Sequence, residues 1–132
     1  MRRDFALPEQ DVDFLDASHF RWDTIRDGRG NWVVIHDYPV PDGYNVRRVC
    51  AALKIDQGYP VAQIDMVYFN PPLRLVNGAS QPGALANQPI EGQNWQRWSR
   101  HRTGQNPWRP GVDDISTHLQ LVEHWLDREL KK

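Results

Sequence analysis

The chain has 132 residues, with 16 Lys+Arg against 17 Asp+Glu and a formal net charge of −1. That length suits one domain able to bury a core without disulfide or metal, and the 39% hydrophobic and 25% charged fractions exclude disordered and collagen-like classes. Near-neutral charge excludes a globally basic nucleic-acid binder, and the lone Cys50 cannot close an internal disulfide or build a cysteine-rich zinc site. No apolar run approaches a membrane span, and Arg2-Arg3 has no apolar signal core behind it. The expectation is a soluble, cytoplasmic, single domain over residues 1–132.

Leu7 to Ser18 is predicted as a short helix, with Pro8 at its first position and Glu9 and Asp11 suited to its N-terminus. Its apolar face of Val12, Phe14 and Leu15 must dock on something to be stable. Phe20 to Arg26 and Asn31 to His36 are strand-like, and Asp27-Gly28-Arg29-Gly30 between them is a hairpin turn. Two prolines and a glycine from Tyr38 to Gly43 break the sheet. Val46 to Ile55 resumes it, with Val49, Ala51, Leu53 and Ile55 alternating against Arg48, Cys50, Ala52 and Lys54. Ile64 to Phe69 is predicted as a fourth strand, ended by Asn70-Pro71-Pro72.

Pro71 to Pro110 is rich in Pro, Gly, Asn and Gln and shows no periodic element, so it reads as a long irregular segment of the kind that carries function. A final helix is predicted from Asp113 to Leu130, where Ile115, Leu119, Val122 and Leu126 recur at helical spacing. Four consecutive strands followed by a helix imply an α+β layer with the helix across one sheet face.

Gly92 to Gly111 is the densest unusual stretch. It holds Trp95, Trp98, Trp108, Arg97, Arg100, Arg102 and Arg109, with no acidic residue. Arginines on phosphates and stacking tryptophans would suit single-stranded nucleic acid. The competing reading is stronger: the tryptophans anchor a loop on the core and the arginines form a solvated rim. Ser99 and His101 are two apart, so on extended backbone they would share a side, and imidazole could activate the hydroxyl for acyl transfer. Cys50 inside a strand reads as packing, because a buried thiol in apolar surroundings is inert. His118 and His124 are six apart, which does not place two metal ligands on one helical face.

The order of elements resembles a ubiquitin-conjugating enzyme (UBC) domain, of the compact bacterial branch encoded beside ubiquitin-like proteins and activating enzymes. Gly58-Tyr59-Pro60 resembles that family's Tyr-Pro after the third strand, Gly92 precedes the active-site stretch, and Trp108-Arg109-Pro110 resembles the Trp-x-Pro before its crossover helix. Trp95 to His101, Trp-Gln-Arg-Trp-Ser-Arg-His, looks like the bacterial signature. The resemblance covers essentially the whole chain, with residues 71–110 as its active-site segment. The family's His-Pro-Asn motif and its catalytic cysteine are missing, and Ser99 stands within a residue or so of where the thiol would be.

The resemblance implies a UBC-like α+β fold and transfer of the C-terminal acyl group of a ubiquitin-like protein, received from an activating enzyme and passed to a target, in a pathway of the antiviral-defence kind. Ser99 would accept the acyl group, His101 would act as base and Asn94 would substitute as oxyanion donor. Arg97, Arg100 and Arg102 would guide the flexible tail or a partner. The N-terminal helix and the turn from Asp27 to Gly30 would face the activating enzyme, while Gln120, Glu123 and Asp127 would face the ubiquitin-like protein. A deconjugating peptidase of the same pathway is a further partner. The chemistry needs no cofactor. Three readings of Ser99 stand: a natural nucleophile forming an oxyester, an engineered Cys→Ser trap, or an inactive scaffold that only binds.

Overall fold

The computed structural model describes residues 1–28, 30–78 and 86–131. Arg29 of the predicted turn and residues 79–85 of the predicted irregular segment lie outside the described residues. The elements run α1 (Glu9–Ala17), β1 (Arg21–Asp27), β2 (Gly30–Pro39), β3 (Arg48–Ile55), β4 (Val67–Asn70), β5 (Ala86–Ile90), β6 (Gln93–Trp98) and α2 (Ile115–Leu130). They form one antiparallel sheet in the order β1-β2-β3-β4-β6-β5, with both helices outside it.

The α+β class and the four predicted strands appear with shifted ends, in the expected meander β1-β2-β3-β4, but the sheet does not stop at four strands. The described residues make six strands, because the supposedly irregular segment contains the β5–β6 hairpin. Its sequence hid it for two reasons. Pro89 sits in β5, an edge strand, where its missing N–H costs no ladder bond. The segment β6 lies between β4 and β5 and is covered on both faces, so Trp95 and Trp98 are buried on opposite sides and no alternation is visible. Pro8 is the N-cap of α1 and not its first helical residue.

One sheet face carries the main core. Val33, Ile35, Ala51, Leu53, Phe69 and Trp98 pack there with Leu15 of α1 and with Ile115, Leu119, Val122 and Leu126 of α2. The apolar stripe predicted for the last helix is thus the buried one, and Leu119 is 5% exposed. Asp114 caps α2 by accepting from the Thr117 amide, and Thr117 Oγ1 accepts from the Asp114 amide, so two orphan donors are satisfied reciprocally. The buried Asp11 ties α1 to this helix start, accepting from the Ile115 amide (3.2 Å) and the Tyr59 hydroxyl (2.7 Å).

The sheet curls. At the β5–β6 turn the Glu91 amide donates to Asp27 (2.9 Å) and the Glu91 carboxylate pairs with Arg2. The other face therefore wraps a second, smaller core of Trp32, Val34, Ala52, Tyr68, Ile90 and Trp95, with Trp32 edge-on to Tyr68 at 5.0 Å. Between β2 and β3, Gly43 meets the end of α2: it has φ +113° and an added Cβ would clash with Leu130 Cδ2. The neighbouring Tyr44 hydroxyl donates to the Leu126 carbonyl at 2.7 Å.

Candidate functional site

Ser99 is the first residue after β6, half-buried, where the chain leaves the sheet. The Arg100 amide donates back to the Trp98 carbonyl (3.0 Å), a three-residue turn centred on Ser99. The extended backbone that would have aligned Ser99 with His101 is therefore absent. Among the described residues no hydrogen bond joins the two side chains. The Arg100 carbonyl accepts from the Met66 amide (3.1 Å), holding the departing chain beside the start of β4.

That contact brings His101 to Asp65. The His101 Nδ1 lies 2.8 Å from Asp65 Oδ2. A carboxylate accepts only, so Nδ1 carries the proton and Nε2 is left as the basic nitrogen. The His101 side chain is 63% exposed and Asp65 27%. Asp65 Oδ1 is buried with no hydrogen-bond partner. A hydroxyl, an imidazole two residues on and a carboxylate orienting that imidazole are the parts of a base-activated nucleophile. Asp65 was missed by sequence reading, since Ile64-Asp65-Met66 carries no local signal and only the β4–β6 pairing brings it close.

Three expected site residues stand elsewhere or do something else. Asn94 is exposed on β6, paired with Pro89. Five positions put it about 17 Å along the strand from Ser99 and on the opposite face, so it is not the oxyanion donor expected there. Arg100 is not a free guide: it pairs with the buried Glu129 of α2 at 2.9 Å. The Arg102 side chain is 5% exposed, 3.8 Å from Asp113, bonded to His118 (3.2 Å) and stacked over Trp108 at 4.7 Å. These two arginines fasten the Ser99 segment to α2. The stretch from 92 to 111 holds no acid of its own, so its counter-charges had to come from outside it. That was the available signal for Asp113 and Glu129.

Arg97 remains on the Ser99 face of β6, opposite Tyr68, with its Nε buried and unpartnered. Gln120, Glu123 and Asp127 are exposed along one side of α2, away from the core. Trp95 and Trp98 are 6% and 0% exposed, so they offer no stacking platform for bases and the nucleic-acid reading loses its aromatic half.

Beneath the segment, His118 is fully buried with both nitrogens engaged. Its Nε2 donates to the Met66 carbonyl (2.8 Å) and its Nδ1 faces the Arg102 guanidinium. Burial, reinforced by that guanidinium against the pull of the Met66 carbonyl, brings its pKa down to about 4. Asp113 is held below its ordinary value: burial opposes ionisation, but the Arg109 amide and side chain outweigh it.

The model of prokaryotic E2 family E matches residues 7–129. The chain belongs to prokaryotic E2 family E. Comparison with curated proteins and with solved structures finds no match. The E2-family assignment runs from before α1 to the last turn of α2, and a conjugating-enzyme-like protein of this kind deals in general with ubiquitin-like proteins and activating enzymes. Among the described residues no helix of this E2-family domain is long and apolar enough to cross a membrane.

Proposed function

We propose that this domain takes the C-terminal acyl group of a ubiquitin-like protein from an activating enzyme onto Ser99 and passes it to a target amine. The observation that carries the reading is the His101–Asp65 pair beside Ser99, at the place in the chain where the conjugating-enzyme resemblance puts the nucleophile. The Ser99 hydroxyl attacks the carbonyl carbon of the incoming thioester while His101 Nε2 takes its proton. The C–S bond breaks and the leaving thiolate is reprotonated. In the second half the amine attacks the oxyester, the C–O bond breaks, and Ser99 Oγ regains a proton. The resting turn does not join the two side chains, so Ser99 comes to His101 by a change in the turn that carries it, while His101 keeps its bond to Asp65.

Arg97, on the same strand face, is the remaining cation for the flexible tail. The outer side of α2, with Gln120, Glu123 and Asp127, is the surface for the ubiquitin-like protein. A peptidase of the same pathway would remove the conjugates, in a defence setting. A second reading, a scaffold that binds without forming an adduct, is favoured by the absence of a resting Ser99–His101 hydrogen bond.

The test mixes the protein with its activating enzyme, ubiquitin-like protein and ATP, and reads intact mass. An adduct on Ser99 that resists thiol reductant and falls to alkali supports the oxyester. Binding with no adduct overturns it in favour of the scaffold. A mass of Cys in place of Ser99 in the protein from its natural source would identify a trap.

A further inference from the structure

Strands β2 and β3 lose register between Ile35 and Tyr38, where two residues, His36 and Asp37, stand opposite Cys50. Asp37 takes φ +53° to make this bulge. A bulge re-aims side chains, and here it turns the His36 ring toward the next strand. Cys50 Sγ lies 3.7 Å from His36 Nδ1, and His36 Nε2 lies 2.7 Å from Asp23 Oδ2 on β1. Nucleophile, base and orienting carboxylate thus lie in line across three adjacent strands. The imidazole bridges through its two opposite nitrogens, so the groups form a relay and not a point of convergence.

Each position is set by something further. Asp23 is held as a carboxylate: burial opposes ionisation, but the Arg2 amide and His36 outweigh it, with Arg3 3.7 Å away. Because the carboxylate accepts only, Nε2 carries the ring proton and Nδ1 presents its lone pair to the thiol. Cys50 is half-buried, not sealed, and His36 is 23% exposed. A cavity of ≈ 600 Å³ opens beside His36, with Arg21, Asp37 and Arg48 on its wall. Packing alone requires none of this.

We propose that Cys50, His36 and Asp23 form a second nucleophilic site, distinct from Ser99, which takes an activated acyl group from an ester or thioester onto Cys50. The thiol sulfur bonds to the acyl carbon while its proton passes to His36 Nδ1. The bond to the leaving oxygen or sulfur breaks, and the leaving group recovers the proton from His36 or solvent. Asp23 acts only through His36, as a positioning residue.

Burial, with the Asp37 carboxylate, raises the Cys50 pKa against the weaker pull of a backbone hydrogen bond from Asp37 and the charge of Arg21. An unassisted Cys50 would therefore react more slowly than a free thiol near neutral pH. This sets the sign of the test. The full chain is treated with p-nitrophenyl acetate, following nitrophenol release and mapping the acetyl group by peptide mass, with N-acetylcysteine as reference. A base in place contributes about 10²–10⁴-fold, so Cys50 should be acetylated at least about tenfold faster than the reference.

His36→Gln should remove that advantage. Asp23→Asn should slow the reaction and shift its pH profile, which a merely structural change would not do. Wild-type acetylation at or below the reference rate, or acetyl found only on other residues, overturns the proposal without recourse to any variant. An unchanged rate in folded His36→Gln overturns it as well. The outcome is independent of the Ser99 reading, because the peptide map separates the two sites.

Discussion

His101 and Asp65 are 36 positions apart, yet the His101 Nδ1 lies 2.8 Å from Asp65 Oδ2. The pairing exists because β6 lies beside β4 and the chain leaving β6 bonds back to Met66. A carboxylate in that position keeps one tautomer and one ring orientation. Ser99→Ala should abolish any adduct with the ubiquitin-like protein. His101→Ala should slow it about 10²–10⁴-fold, and Asp65→Asn should slow it in the same direction without weakening partner binding. Single-turnover adduct formation and a binding titration check the two halves. A loss of binding in Asp65→Asn would make that residue structural.

The outer side of α2 gives a separable expectation. Charge reversal at the exposed Glu123 should change affinity for the ubiquitin-like protein and leave transfer contacts with the activating enzyme, on α1 and the β1–β2 turn, unchanged. Titration against each partner alone checks this. Equal responses would mean the two surfaces are misassigned.

Leu119 is 5% exposed in the core between α2 and the sheet. Leu119→Ala should cost about 2–5 kcal/mol, the range for a truncated buried leucine. Denaturant unfolding reads it directly.

Gly43 has φ +113° and no room for a Cβ, which would clash with Leu130 Cδ2. The backbone strain of an L-residue there is about 1–3 kcal/mol. The contact with Leu130 is the flexible end of a side chain, so it is the smaller part. Gly43→Ala should destabilise, and adding Leu130→Ala should relieve the clash without restoring the backbone. Thermal unfolding of the two variants against Leu130→Ala alone separates the contributions.

His118 sets a pH dependence. Its folded pKa, about 4, lies below the ordinary 6.5, so between these values the unfolded chain binds a proton that the fold refuses. Stability is full above about pH 6.5 and falls by about 1.4 kcal/mol per pH unit down to about 4. Burial raises the Asp11 pKa, partly offset by bonds from Tyr59 and Ile115, and this contributes with the opposite sign. Comparison with His118→Gln isolates the histidine: the variant should lose the downward slope. Equal slopes would place the dependence elsewhere.

The sequence by itself determined the elements whose signal is local. The helical spacing of Ile115, Leu119, Val122 and Leu126 determined α2 and its buried face, and the alternation from Val49 to Ile55 determined which side of β3 meets it. The α+β class and the order of these elements followed. Tertiary structure decided what depends on a neighbour far along the chain. It inserted β6 between β4 and β5, and a strand covered on both faces shows no alternation. It carried Asn94 to the other face and turned Arg100 and Arg102 inward to Glu129 and Asp113, because an arginine on an acid-free segment takes its counter-charge from whatever packs against it. Strand register likewise set Asp65 beside His101 and Cys50 beside His36. Which residues meet across a sheet is a property of pairing, and no stretch of one strand contains it.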